Sequence, residues 1–131
     1  MTLVDTSAWI EYLRRTGSDV NTAVRSLIDQ RADLATTDVV IMELLSGVST
    51  PETRQKIWAL MNRCIMLPTR PLFDYEVAAE LYSRCRADGF NPANTNDVLI
   101  AAVAIGKRVP LLVADSDFER IAAVSTLRLA A

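Results

Sequence analysis

The chain predicts an α/β fold: a three-layer α/β/α sandwich around a short, mainly parallel sheet of four or five strands. Short apolar runs recur along the sequence, helical periodicities separate them, and turn residues punctuate the joins. Alternation of this kind gives a parallel sheet with helices on both faces. With 131 residues, half of them hydrophobic and 23% charged, the chain has the size and composition of one folded domain over residues 1–131.

The elements follow in order. Leu3-Val4 reads as a strand, after which Thr6 or Ser7 offers a helix N-cap before a helix from Ala8 to Arg15. Val20, Ala23, Val24, Leu27 and Ile28 share one helical face within 20–31. Leu34-Ala35 is a second strand, and Thr37 or Asp38 caps a helix through Leu45, with Gly47 as its stop. Pro51 at a first turn and the spacing of Ile57, Leu60 and Met61 give a further helix, followed by the strand Ile65-Met66-Leu67. Phe73, Val77, Leu81 and Cys85 stand four apart on an amphipathic helix from Leu72 to Asp88, which Gly89 ends. The loop from Asn91 to Asn96 is turn chemistry. A nearly all-apolar helix then runs to Ile105, with Gly106 at its end. Pro110 introduces the fourth strand, residues 117–123 a short helix, and Thr126 to Leu129 a fifth, edge strand.

Composition excludes whole classes of chemistry. The chain has no histidine, which removes histidine triads, histidine general bases and most zinc sites. Cys64 and Cys85 are the only cysteines; they are unpatterned and read as reduced core thiols of a cytoplasmic protein. The longest apolar stretch, Val98 to Gly106, is too short to span a bilayer. The opening Met-Thr-Leu-Val-Asp has no basic segment of a secretory signal. A net charge of −2, from 14 basic and 16 acidic residues, gives no chain-wide nucleic-acid signature. Local metal and arginine sites can nevertheless attract phosphate.

Four acids stand at the edges of apolar segments. Asp5 closes the first strand, Asp115 the fourth, Glu43 is the only charge in Val39 to Leu45, and Asp97 opens the apolar helix. Each has a structural reading alone. Asp5 could cap a helix, and Asp97 could be held by the dipole of its own first turn. Glu43 is harder to dismiss, because Val39, Val40, Ser46 and Gly47 flank it on its helix face. Asp117, two residues after Asp115, adds a fifth carboxylate. No basic residue adjoins the four in sequence, and carboxylates beside buried elements are costly without a cation. Together they point to one all-oxygen site for a hard divalent ion, Mg²⁺ or Mn²⁺. Asp5 and Asp115 lie at the strand ends where parallel sheets bind ligands.

These residues also carry a resemblance. Leu3-Val4-Asp5-Thr6-Ser7-Ala8-Trp9 resembles the first motif of PIN-domain ribonucleases, particularly the VapC-type toxins of toxin–antitoxin pairs. Met42 to Gly47, Thr95 to Ala102 and Val113 to Phe118 resemble the second, third and fourth motifs, in the family's order. The resemblance implies a Mg²⁺- or Mn²⁺-dependent endoribonuclease that cuts RNA with metal-activated water. It also implies a homodimer or a toxin–antitoxin hetero-oligomer, inhibited by a small cognate antitoxin. It makes Asp5 and Asp97 the principal metal ligands, with Glu43, Asp115 and Asp117 in support. Thr6 would orient a ligand or a bound water through its hydroxyl. Arg14 and Arg15 would touch the RNA backbone, or simply be a solvated helix end. The rival functions are a non-cleaving RNA- or partner-binding module of the same fold and a housekeeping RNA-processing nuclease. A phosphotransfer receiver fits poorly, since Lys107 precedes the fourth strand. A phosphatase with a nucleophilic aspartate lacks its second acid in Asp5-Thr6-Ser7.

Overall fold

The computed structural model describes residues 1–130. Its elements are β1 (Thr2–Val4), α1 (Thr6–Leu13), α2 (Asp19–Asp29), β2 (Leu34–Thr36), α3 (Asp38–Ser46), α4 (Pro51–Asn62), β3 (Ile65–Met66), α5 (Phe73–Ala87), α6 (Thr95–Lys107), β4 (Leu111–Leu112) and α7 (Asp117–Ala123). The four strands pair in the order β3-β2-β1-β4, all parallel, with Leu3 opposite both Ala35 and Leu111. The predicted fifth strand reduces to one parallel bridge between Leu129 and Leu111.

That strand order matters for function. The chain lays β2 and β3 on one side of β1, then crosses to place β4 on the other. The connections therefore diverge between β1 and β4, and such a divergence opens a crevice beyond the carboxyl ends of the strands. Asp5 directly follows β1, and Asp115 follows β4 by three residues.

Burial explains the apolar character of β1 and β4, whereas both residues of the edge strand β3 are exposed. Leu3, Val4 and Leu111 are fully buried, as expected for strands covered on both faces. Helix α6 buries every residue from Val98 to Ala104, so its apolar character all round has a structural cause. The pair α1–α2 and the group α5, α6 and α7 pack separately, and α3 touches both α1 and α6.

The structure departs from the sequence reading in several places. Asp5, rather than Thr6 or Ser7, is the N-cap of α1, which ends at Leu13 and leaves Arg14 and Arg15 beyond it. The buried face of α5 is Asp74, Ala78, Leu81 and Cys85, while Phe73 is exposed. Arg70 causes this shift: it holds Asp74 against the core and covers the Phe73 ring at 4.3 Å. The apolar helix runs through Gly106 to Lys107, and Arg108 makes the left-handed turn that ends it. Gly106 serves a close approach instead, since a Cβ there would collide with the Arg70 guanidinium. Both cysteines are free thiols, and burial pushes Cys64 up to about 11. No helix among the described residues is long and apolar enough to cross a membrane.

Candidate active site

Asp5 is turned inward by its own cap. One carboxylate oxygen, Oδ2, accepts from the Ser7 backbone N–H at 2.9 Å and from the Ser7 hydroxyl at 2.6 Å. The other, Oδ1, is buried and has no hydrogen-bond partner. Burial raises the pKa of Asp5, hydrogen bonds from Ser7 partly offset that, and Glu43 raises it further. Ser7 does a second job. Its hydroxyl accepts from the backbone N–H of Ala114 at 2.9 Å, tying the start of α1 to the chain leaving β4. Asp5 N–H donates to the Leu112 carbonyl at 2.9 Å, closing the same junction.

Glu43 reaches the site from α3, where Ile41 and Leu44 on either side are buried and fix the helix. Its Oε1 accepts from the Thr6 hydroxyl at 2.7 Å, and its Oε2 from the Asn94 side-chain amide at 3.3 Å. Asn94 also caps α6, accepting from the Asn96 N–H at 2.9 Å. It thereby aligns the turn that carries Asp97. Asp115 accepts from the Asp117 N–H at 2.9 Å, which orders the short connection into α7.

Asp97 shows that these groups converge. Its carboxyl is pushed up to about 7, first by burial and then by the charges of Asp5, Asp115, Glu43 and Asp117. Asp97 thus feels the charges of the other four acids marked in the sequence. Among the described residues, no three of them yet close on a common ligand position. The described residues form two ion pairs, Arg70–Asp74 and Arg84–Glu80, and neither belongs to this cluster.

The Thr6 hydroxyl lies against Glu43. Arg14 and Arg15 do not join the acids. They are exposed at the far end of α1, roughly 13 Å from Asp5 along the helix axis at 1.5 Å per residue. Arg15 instead lines a groove of about 720 Å³ with Tyr12, Arg25, Lys56, Leu60 and Arg63. Sequence reasoning missed the positioning roles of Ser7 and Asn94. Asn94, three residues before Asp97 at a helix start, carried a usable signal; the reach of Ser7 to residue 114 carried none.

In a parallel α/β/α domain the carboxyl ends of the strands at the crossover are where ligands bind, and the acids lie on this side of the sheet. The PIN-domain family model matches residues 2–124. A VapC ribonuclease of Mycobacterium bovis and ribonuclease VapC11 of Mycobacterium tuberculosis are each 37% identical over 131 residues, 99% of this chain and 98% of theirs. The chain belongs to the PIN-domain family and, within it, to the VapC ribonucleases. Solved structures share the fold. Rickettsia felis VapBC2, bound to a DNA fragment from its promoter, superposes with TM-score 0.75 at 19% identity, covering 98% of this chain and 96% of that one. Mycobacterium tuberculosis VapC20, a Sarcin-Ricin loop cleaving toxin, gives 0.70 at 20% identity, covering 98% and 99%.

Proposed function

We propose that this protein is the toxin of a toxin–antitoxin pair and acts as a Mg²⁺- or Mn²⁺-dependent endoribonuclease of the cytoplasm. The observation that carries the reading is Asp97, raised to about 7 by burial and by the charges of four other carboxylates, with no basic side chain paired to any of the five among the described residues. The residues fit a hard cation. Asp5 presents a buried, unpartnered oxygen, the donors are all carboxylate, and the chain has no histidine to favour a softer metal. Asp5 and Asp97 would be the principal ligands, with Glu43, Asp115 and Asp117 in support. When bound, such an ion neutralises charge on a phosphoryl oxygen and makes water nucleophilic at neutral pH.

The protein's own contribution is positioning. Ser7 holds one oxygen of Asp5 and leaves the other buried and without a hydrogen-bond partner. Thr6 and Asn94 each hold one oxygen of Glu43, so this acid is fixed from two elements. An RNA strand leaving the cluster along α1 would meet Arg14 and Arg15, which suit its backbone phosphates. The ribonuclease relatives support RNA as substrate, and the VapBC assemblies support a small antitoxin as partner. The groove lined by Arg15, Arg25, Lys56 and Arg63, with Leu13 and Leu60 beneath, suits an amphipathic segment with acidic side chains. A partner seated there covers Arg15 and so competes with RNA.

Cleavage of labelled RNA by the purified chain tests the proposal. Cleavage should need added Mg²⁺ or Mn²⁺, stop with chelator and be absent in Asp97→Asn. Metal-independent cleavage, or binding of RNA without cleavage, would overturn it.

A further inference from the structure

Beside the acidic cluster lies a second, chemically different cleft between α5 and α6. It measures about 390 Å³, within the range of small-ligand pockets, and is lined by Tyr75, Ala78, Tyr82, Thr95, Asn96 and Leu99 among others. Its lining contains no charged residue. Ala78 and Ala79 leave the space, and Tyr75 and Tyr82, seven residues apart on one helix face, stand along it. Thr95 and Asn96 form part of its wall and directly precede Asp97. The cleft and Asp97 thus share the first turn of α6, with Asp97 itself outside the cleft lining.

We propose that this cleft holds an unstacked base of the RNA strand next to the phosphate being cut, with Tyr82 as its stacking platform. The inference rests on the nuclease reading above and assigns a positioning role that reading does not supply. Three features argue for a base over other occupants. A neutral lining rejects a phosphate but accepts a planar, weakly polar ring. Single-stranded RNA is bound largely through bases stacked on aromatic side chains. The third is charge. The Arg86 guanidinium stands 5.6 Å from the Tyr82 ring centroid, and Arg86 has no carboxylate partner among the described residues. A base on the tyrosine would bring its own phosphate toward that cation, while the next phosphate along the strand enters the carboxylate cluster.

The test separates this inference from the nuclease reading. Short unstructured RNA oligonucleotides carrying 2-aminopurine at one position at a time are bound to the Asp97→Asn chain. Fluorescence quenching should appear at one position of the strand (next to the cleavage site where the wild-type chain cuts), persist with Tyr82→Trp and vanish with Tyr82→Ala. In the otherwise wild-type chain, Tyr82→Ala should raise KM about tenfold, the scale of one lost base stack, with a much smaller change in kcat. Tyr82→Phe should restore KM. Failure of the wild-type chain to cleave RNA sinks the nuclease reading yet leaves the quenching readable. Two results overturn the base site: quenching that Tyr82→Ala leaves intact, or a change in sedimentation by Tyr82→Ala that makes the cleft a contact between copies.

Discussion

Asp5 and Asp74 are both almost completely buried, at 3% and 2% exposure, and their surroundings are opposite. Asp74 accepts from the Arg70 backbone N–H at 2.7 Å and from its guanidinium Nη2 at 2.9 Å, so its charge is neutralised within the chain. Asp5 has only Ser7 on one oxygen and nothing on the other, and Glu43 adds to the charge around it. A buried carboxylate with its own arginine is finished as a structural element. One facing a further carboxylate has no such partner in the chain, and on the proposed function an external cation would supply it.

The largest effect should come from breaking the unfinished side. Asp5→Asn and Asp97→Asn should each reduce RNA cleavage to background while the protein stays folded. Asparagine keeps an oxygen to accept from Ser7, so the cap of α1 survives where alanine would lose roughly 1 kcal/mol. Circular dichroism alongside the cleavage assay checks both halves; an active or an unfolded Asp97→Asn chain refutes the assignment.

Next in size is the response to metal. An ion bound only by the folded chain stabilises it by about 2.7 kcal/mol at a hundredfold excess over Kd. Thermal melts with rising Mg²⁺ or Mn²⁺ should show a saturating increase in wild type and a much smaller one in Asp97→Asn. Equal shifts in both chains would place the ion elsewhere.

The finished side should behave in the reverse way. Asp74→Ala removes the partner of Arg70 and should cost about 1–3 kcal/mol, the lower part of the range because Arg70 is 43% exposed and can turn to water. Cleavage per folded molecule should stay near wild type. Urea unfolding together with active-fraction measurement tests this, and a loss of cleavage with unchanged stability would show that Asp74 belongs to the chemistry.

Thr6 sharpens the comparison within the site. Thr6→Val keeps the shape but loses the 2.7 Å bond to Glu43, and should lower cleavage about tenfold, as is usual for groups that orient metal-binding carboxylates. Thr6→Ser should restore most of it. If valine costs nothing, Asn94 alone suffices to hold Glu43.

Much of this was legible from sequence because the relevant signals are local. Each strand is a short apolar run beside turn chemistry, and Asp5, Asp97 and Asp115 sit within a few residues of such an edge. The signals that failed were tertiary. Arg70 turns Asp74 inward and covers Phe73 from only a few residues away, but the apolar spacing hid that pair, and the space Arg70 occupies is left by Gly106, more than thirty residues away. The same holds for the Ser7 hydroxyl meeting the N–H of Ala114, 107 residues on. Gly106 itself was read as a helix stop because glycine commonly ends helices, whereas here the space it leaves is filled by a side chain from another element.

The smallest expected effect concerns the metal-free protein and tests the like-charge argument directly. Asp97 titrates near 3.8 in an unfolded chain and at about 7 in the folded one. The folded state therefore holds this proton more tightly, and the stability it contributes is fully present below pH 3.8. That contribution falls as pH rises between those values and is gone above about pH 7. Asp97→Asn removes the titration. In chelator, the variant and wild type should melt alike at the acidic end of this window, apart from the general effects of acid. At pH 8 the variant should melt higher, by roughly 3–5 °C if the relief is worth about 1 kcal/mol after solvent screening. Saturating metal should reverse the order at pH 8, because the ionised carboxylate is then a ligand and not a repelled charge. A variant less stable than wild type at pH 8 in chelator would mean that Asp97 is held by favourable contacts in the bare fold, and the acids would then be structural after all.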